Sequence, residues 1–193
     1  DVADVEYTPQ SGIEAKAYGD GKFGTITITN AAGQDVTNTN YSVKTDAGSL
    51  TIEQSEAAFT ISLEDDEYTY DGTAHHNENT ASSDAETGTT TYKYRFEGDE
   101  VWVEDLTSLT KIDAGEYTIE VEGTNPNYKE KATTTAKLKI NKLEVTFSVE
   151  DLTVPYNGKT QTGNTDVNNS GLAAGDVADV EYTPQSGIEA KAY

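Results

Sequence analysis

The sequence predicts an all-β chain of tandem sandwich domains, and three observations lead there. Apolar and polar residues alternate with period two along many short stretches, turn signals separate those stretches, and no window carries a 3.6-residue period. Strands of that kind have one wet face and one face that must be covered by another sheet.

The strands follow in order. In "TYKYRF", Tyr92, Tyr94 and Phe96 alternate with Lys93 and Arg95. "EYTIEVEG" sets Tyr117, Ile119 and Val121 against Glu116, Thr118, Glu120 and Glu122. "AKLKI" sets Ala136, Leu138 and Ile140 against Lys137 and Lys139, and "LEVTFSV" sets Val145, Phe147 and Val149 against Glu144, Thr146 and Ser148. Asp71-Gly72, Gly98-Asp99, Ala114-Gly115, Asn125-Pro126 and Asn157-Gly158 mark the turns. All of this reads as antiparallel pairing. About seven short strands in a unit of this size fit a Greek-key sandwich, and a β-grasp module is the alternative, which needs a helix the pattern does not offer.

Composition narrows the class of function. The net charge is −22, from 35 acidic and 13 basic residues. That balance argues against nucleic acid, whose phosphates need Lys and Arg, and against anionic membrane surfaces. It suits a crowded polymer that must stay soluble, and acidic oxygens also attract divalent cations. Without Cys there is no disulfide, thiol nucleophile or Cys-ligated zinc. No apolar run is long enough to span a bilayer as a helix, and the absence of Met is what an internal segment of a longer chain would show.

The eighteen residues "DVADVEYTPQSGIEAKAY" occur twice without a difference, as Asp1–Tyr18 and Asp176–Tyr193. A second likeness is looser: "TISLEDDEYTYDGTA" (Thr60–Ala74) aligns without a gap on "TFSVEDLTVPYNGKT" (Thr146–Thr160). Ile61 falls on Phe147, Leu63 on Val149, Asp65 on Asp151, Tyr70 on Tyr156 and Gly72 on Gly158. Asn-Tyr followed by a Leu-x-Ile strand closes both kinds of unit, at Leu138-Lys139-Ile140 and at Leu50-Thr51-Ile52. The expected organisation is a complete domain at 55–142 between the closing half of a second domain type at 1–54 and its opening half at 143–193. The identical ends are then the overlap of a tandem array. Neither half covers its own apolar residues: Ile26, Ile28, Val43, Leu50 and Ile52 in one, Val145, Phe147, Val149 and Val154 in the other. Each half therefore expects its complement from a neighbouring repeat or from an identical chain, head to tail, or else from the other half of its own chain.

"YDG" at Tyr70–Gly72, "DAGEYTIEVEGTNPNY" at Asp113–Tyr128 and "GLAAGD" at Gly171–Asp176 resemble the Tyr-Asp-Gly-type (MBG/YDG) tandem repeats of bacterial cell-surface adhesins. "ITITNAAGQDVTNTNY…GSLTI" (Ile26–Ile52) is similar to the second half of such modules. The resemblance implies Ig-like sandwiches, an extracellular cell-surface location and a stalk or adhesive array; it carries no catalytic residue. Asn157 stands where the pattern has Asp, and Asn favours the same turn. Asp113-Ala114-Gly115-Glu116-Tyr117 is also where a tyrosine corner would sit, although Tyr117 reads equally as a plain core residue.

Candidate chemistry is sparse, and no enzyme is expected. His75-His76 is the only histidine pair, and adjacent residues on an extended chain point to opposite sides. Asp166, Asn168 and Ser170 are spaced like the first half of an oxygen-ligand loop that runs to Asp176, with Gly171 at its turn. Val177 stands where the bidentate Glu belongs, so calcium is a candidate ligand there against a plain loop of Asx turns, and no other cofactor is expected. The resemblance also implies Lys–Asn isopeptide cross-links as a candidate feature, with Lys93, Asn141 and Lys142 as the conceivable members. Trp102, between Val101 and Val103, faces outward if the valines are core; it is then a candidate contact for a ligand, or else packs on a cross-strand partner. Two functions compete: a stiff spacer in a long surface protein or filament, and an adhesive module whose loops bind a glycan or protein.

Overall fold

The structure, a computed structural model, describes residues 1–189. Residues 190–193, the end of the second eighteen-residue copy, lie outside the described residues. The chain is nearly all β. Its strands are β1 (Val2–Thr8), β2 (Ala17–Asp20), β3 (Lys22–Thr29), β4 (Ser49–Thr51), β5 (Ile61–Ser62), β6 (Asp66–Thr69), β7 (Ser82–Ser83), β8 (Thr91–Phe96), β9 (Gly115–Thr124), β10 (Ala132–Asn141), β11 (Thr146–Val149), β12 (Gln161–Thr162), β13 (Val167–Ser170) and β14 (Ser186–Gly187). Helix among the described residues amounts to α1 (Thr37–Asn40) and a 3-10 turn at Leu106–Ser108.

Among the described residues the strands form one four-stranded sheet, in the order β6-β10-β9-β8, and the two-stranded pairs β1·β3, β2·β4, β5·β7, β11·β13 and β12·β14. Where a register is described, β1·β3, β2·β4, β5·β7, β11·β13 and β12·β14 are antiparallel. β6 runs parallel to β10, Leu138 opposite Asp66 and Asn141 opposite Thr69. This corrects the expectation of antiparallel pairing throughout: alternation reports which face is wet, not which way the neighbouring strand runs.

The chain forms two compact units, one of Asp1–Leu63, Thr80–Tyr94 and Glu120–Thr135, the other of Glu64–Asn79, Arg95–Ile119 and the segment from Ala136 onward. The boundary between them falls within β8, β9 and β10. In the first unit Phe59, Ile61, Leu63, Tyr94 and Val121 are buried, and the Phe59 ring packs 4.9 Å from that of Tyr128. β9 comes so close there that a Cβ on Gly123 would lie 2.8 Å from Ile61 Cγ2, which is why that position carries no side chain. In the second unit Phe96, Leu106, Leu109, Ala136 and Ile140 are buried, and Ile119 and Leu138 are wholly so, at 0 % exposure. The Lys111 ammonium lies over Phe96 and Tyr117, 4.4 and 5.1 Å from the ring centres.

Alternation places these residues. Ile119 and Val121 bury their side chains on β9, and Ala136, Leu138 and Ile140 do so on β10. The wet positions between them form cross-strand ion pairs, Lys137–Glu116 at 2.5 Å, Lys139–Glu67 at 2.8 Å and Lys131–Glu122 at 2.8 Å. Exposed pairs of that kind contribute little, because water screens them, whereas burying one Leu or Ile contributes about 1.5–3 kcal/mol. The apolar face decides the fold and the charges decorate it.

The flanking segments differ. The buried hydrophobic residue in 1–54 is Val36 and that in the described part of 143–189 is Ala173, while Phe147 stays 44 % exposed, Val154 43 %, Leu152 53 % and Val177 94 %. The two copies of the eighteen residues are not equivalent either. In the first, Val2–Thr8 pairs with β3; in the second, Ser186–Gly187 pairs with β12 and residues 177–183 form no strand. Each copy makes the pairings whose partner strand lies within this chain.

Leu138→Ala is expected to cost about 2–5 kcal/mol in urea unfolding, the usual range for a core truncation. Phe147→Ala should cost under about 1 kcal/mol in the same measurement, because its side chain is already half in water. Equal costs would mean that the flanking strand is buried in solution.

Candidate functional site

The residues that the sequence singles out gather at two places, one on each side of the central segment. Both are built from turns.

The downstream one starts at the Tyr-Asp-Gly turn. Gly72 has φ +81, a left-handed conformation that favours glycine, and Gly158, its aligned counterpart, has φ +72. Asp71 Oδ1 accepts the Thr73 N–H at 2.8 Å, and Asn157 Oδ1 accepts that of Lys159 at 2.9 Å, so Asn makes the same turn as Asp. Tyr70 reaches from this turn to the "GLAAGD" stretch, donating its hydroxyl to Asp176 Oδ2 at 3.0 Å. That bond pushes the Tyr70 phenol up from its ordinary value. Around the pair lies a mainly apolar cavity of about 370 Å³, with Asp113, Ala114, Leu143, Val145, Leu172 and Ala173 in its lining. Residues on both sides of the 142/143 boundary therefore meet here.

The upstream place is built on "NPNY". Asn125 and Asn127 are buried, at 1 % and 7 % exposure, and each amide nitrogen and oxygen has a partner. Asn125 donates to Thr87 O and Thr90 Oγ1, both at 3.1 Å, and accepts the Asn127 N–H at 2.9 Å. Asn127 donates to Thr87 Oγ1 at 2.9 Å and accepts the N–H of Ala15 at 2.7 Å. Gln54 Nε2 donates to Pro126 O at 2.9 Å. Ile13, Ala15, Ile52, Ser55, Thr87 and Tyr128 face a smaller cavity of about 170 Å³. Residues on both sides of the 54/55 boundary meet here in turn. Sequence reasoning took Asn125 and Asn127 for turn punctuation; the signal for more is two short amides around a Pro, able to serve a backbone on each side.

The two places use corresponding parts. Ile112-Asp113-Ala114-Gly115-Glu116-Tyr117 matches Ile13-Glu14-Ala15-Lys16-Ala17-Tyr18. Tyr117 donates its hydroxyl to Asp113 O at 2.9 Å, and Tyr18 donates its own to Glu14 O at 3.1 Å. Both are tyrosine corners, a hydroxyl tied to the backbone four residues upstream. The loop each one braces, Asp113–Ala114 or Glu14–Ala15, lies at the boundary.

The other candidates fare differently. Asn168 and Ser170 lie on β13, opposite Ser148 and Thr146, and Asp166 precedes it in an Asx turn on Asn164. An extended strand rises about 3.3 Å per residue, which spreads these oxygens along a line and not around one ion; Asp176 meanwhile holds Tyr70. The candidate calcium loop is here a strand and a Tyr–Asp bond. No group of three or more His, Asp or Glu side chains among the described residues is placed to hold a metal ion. His75 stacks on Tyr68 at 4.3 Å and contacts Asp71 Oδ1 at 3.0 Å through Nε2. Lys93 and Lys142 are exposed and Asn141 donates to Glu67, so they form no buried cross-linking trio. Val101 is 72 % exposed, not core, and the Arg95 guanidinium lies over the half-buried Trp102 ring at 4.4 Å. That face of the indole is already occupied.

Models of protein families, curated proteins and solved structures were compared with the chain, and none matches.

Many acids that seemed free charge hold turns. Asp35, Asp71 and Asp105 each accept both the N–H and the hydroxyl of the Thr two residues on, and Asp84 does the same for Thr60. These bonds hold all four carboxyls below the ordinary value of 3.8. A lowered folded-state value stabilises above the unfolded value, and the contribution is lost as pH falls through the folded one. The urea midpoint should stay level from pH 7 to 5 and drop below about pH 4. A rise below pH 4 would show that relief of the −22 net charge outweighs the turn bonds. Asn127→Ala, which strips partners from Thr87 and Ala15, is expected to cost about 1–3 kcal/mol in the same assay.

Proposed function

We propose that the chain is a stretch of a stiff extracellular polymer, a spacer repeated along a stalk of a bacterial surface adhesin or filament. The observation that carries this reading is the packing at the two boundaries. A spacer must transmit position, so consecutive domains must not hinge freely. No linker separates Ile140-Asn141-Lys142 from Leu143-Glu144-Val145, or Ile52-Glu53-Gln54 from Ser55. Each boundary carries hydrogen bonds across it, Tyr70 to Asp176 at one and Ala15 to Asn127 at the other. A loop braced by a tyrosine corner contributes to both, which is what a repeating geometry needs.

The same corners support the finer reading of 55–142 as an Ig-like sandwich. The acidic surface supports a location in crowded solution at a cell exterior, where like charge keeps neighbouring polymers apart. Repetition without variation favours the spacer over the adhesive module, since a spacer needs length and not diversity.

Polymers of one, two and three 175-residue periods (176 − 1) test this by small-angle scattering. The longest dimension is expected to grow linearly with period number. Growth as its square root would mean a freely jointed chain and overturn the spacer. Tyr70→Ala combined with Asn127→Ala should bend the linear series toward square-root growth while leaving the unfolding transition cooperative.

A further inference from the structure

Strand registers recur along this chain. In β5·β7, Ile61 lies opposite Ser83 and Ser62 opposite Ser82. In β11·β13, Phe147 lies opposite Asn169 and Ser148 opposite Asn168, each 86 residues later (147 − 61, 169 − 83). The His75–Lys111 bridge recurs as Gln161 opposite Gly187, and the Tyr117 corner as that of Tyr18. β1·β3 and β2·β4 supply, from the start of the chain, counterparts of β8·β9 and β9·β10. Among the described residues one ladder of the central segment has no counterpart, the parallel β6·β10.

The residues for it are nonetheless present. Asp66–Thr69 align on Leu152–Pro155, and Leu138–Asn141 align on Leu50–Glu53 through the shared Leu-x-Ile. Leu152–Pro155 are exposed and lie outside any strand. We infer that Leu152–Pro155 pairs in parallel with Leu50–Glu53 of a second copy of this chain, setting Leu152 opposite Leu50, Thr153 opposite Thr51, Val154 opposite Ile52 and Pro155 opposite Glu53.

Four details fit that register. Tyr70 N–H donates to Asn141 O at 2.9 Å in the central ladder, and Tyr156 stands ready to donate to Glu53 O. Ile52 N–H is spent on Lys16 O, which turns the Glu53 peptide to the opposite edge of its strand, where that donor would arrive. Because Tyr70 N–H faces β10, period two turns the N–H of Thr69 to the outer edge of the sheet. Pro155 occupies the Thr69 position, so its missing N–H costs no ladder bond. Asp65 Oδ1 accepts the Lys137 N–H at 2.7 Å, and Asp151, still an Asp, is placed to accept that of Ser49. On the apolar side Leu152 and Val154 would cover Leu50 and Ile52, which their own segment leaves incompletely buried.

The inference rests on the repeat reading above, but its test is independent of stiffness: a flexible polymer in scattering would remove the spacer and leave this junction standing. The chain lacks Cys, so introduced thiols are unambiguous. Thr51 and Thr153 are both exposed, and paired strands about 4.8 Å apart lie within disulfide reach. Thr51→Cys and Thr153→Cys chains are mixed and oxidised, with Thr51→Cys plus Asn157→Cys as a pair displaced four residues, or about 13 Å. The expected result is a 51–153 dimer formed at least tenfold faster than the displaced one, and a ladder of oligomers when one chain carries both thiols. Equal rates, or a double variant that closes only on itself as a monomer, would overturn the proposal. Sedimentation of the unsubstituted chain gives a second readout. Concentration-dependent association abolished by Val154→Lys is expected, and association untouched by it counts against the register.

Discussion

The central fold hangs on one pair of neighbours, the ten-residue strands β9 and β10. They carry the most deeply buried large apolar side chains, Ile119, Val121, Leu138 and Ile140, and every other strand of the sheet pairs with one of them. β8 joins on the β9 side and β6 on the β10 side, the second in parallel. A strand at an edge has one neighbour to lose, whereas β10 has two. Truncation at Leu138 therefore disturbs both ladders at once, and the loss of an exposed ion pair disturbs neither. Hydrophobic burial at one spot and charge at the surface are separate matters here, which lets the chain hold a large acidic excess without giving up a core.

The sequence made the central strands legible because their alternation is long and clean. Of the residues that alternation sets on one face of the long central strands, Tyr94, Phe96, Ile119, Val121, Ala136, Leu138 and Ile140 are buried, and Tyr92 and Tyr117 are half-buried. Strand direction was not legible, since a face pattern is the same for parallel and antiparallel neighbours. "EVWVED" misleads because its three apolar residues alternate like a strand but belong to none of the named ones, and Trp102 takes its partner from Arg95. The turn chemistry held in detail: Asp71 and Asn157 make one turn with two side chains. The buried amides of Asn125 and Asn127 were out of reach, because composition marks Asn as a turn residue and cannot say which turn will be sealed over.

Acidity looks different once the turns are seen. A reading by composition assigns the carboxylates to solubility. Asp35, Asp71 and Asp105 instead each close a local ring with the Thr two residues on, Asp84 holds Thr60 from 24 residues away, and Asp176 anchors Tyr70. The three local rings fix their turns without help from distant strands. The surface charge that remains can vary without touching the fold.

The two copies of the eighteen-residue segment are used differently. In its first copy Val2–Thr8 pairs downstream, with β3; in its second copy Ser186–Gly187 pairs upstream, with β12. Those pairings use different residues of one segment, since Ser186 and Gly187 correspond to Ser11 and Gly12 and not to any residue of β1. One copy in a continuous polymer can make both at once without conflict. The segment is then the seam of a domain, holding an opening half on one side and a closing half on the other. A seam of this kind satisfies two sets of partners with one sequence by giving each set its own residues.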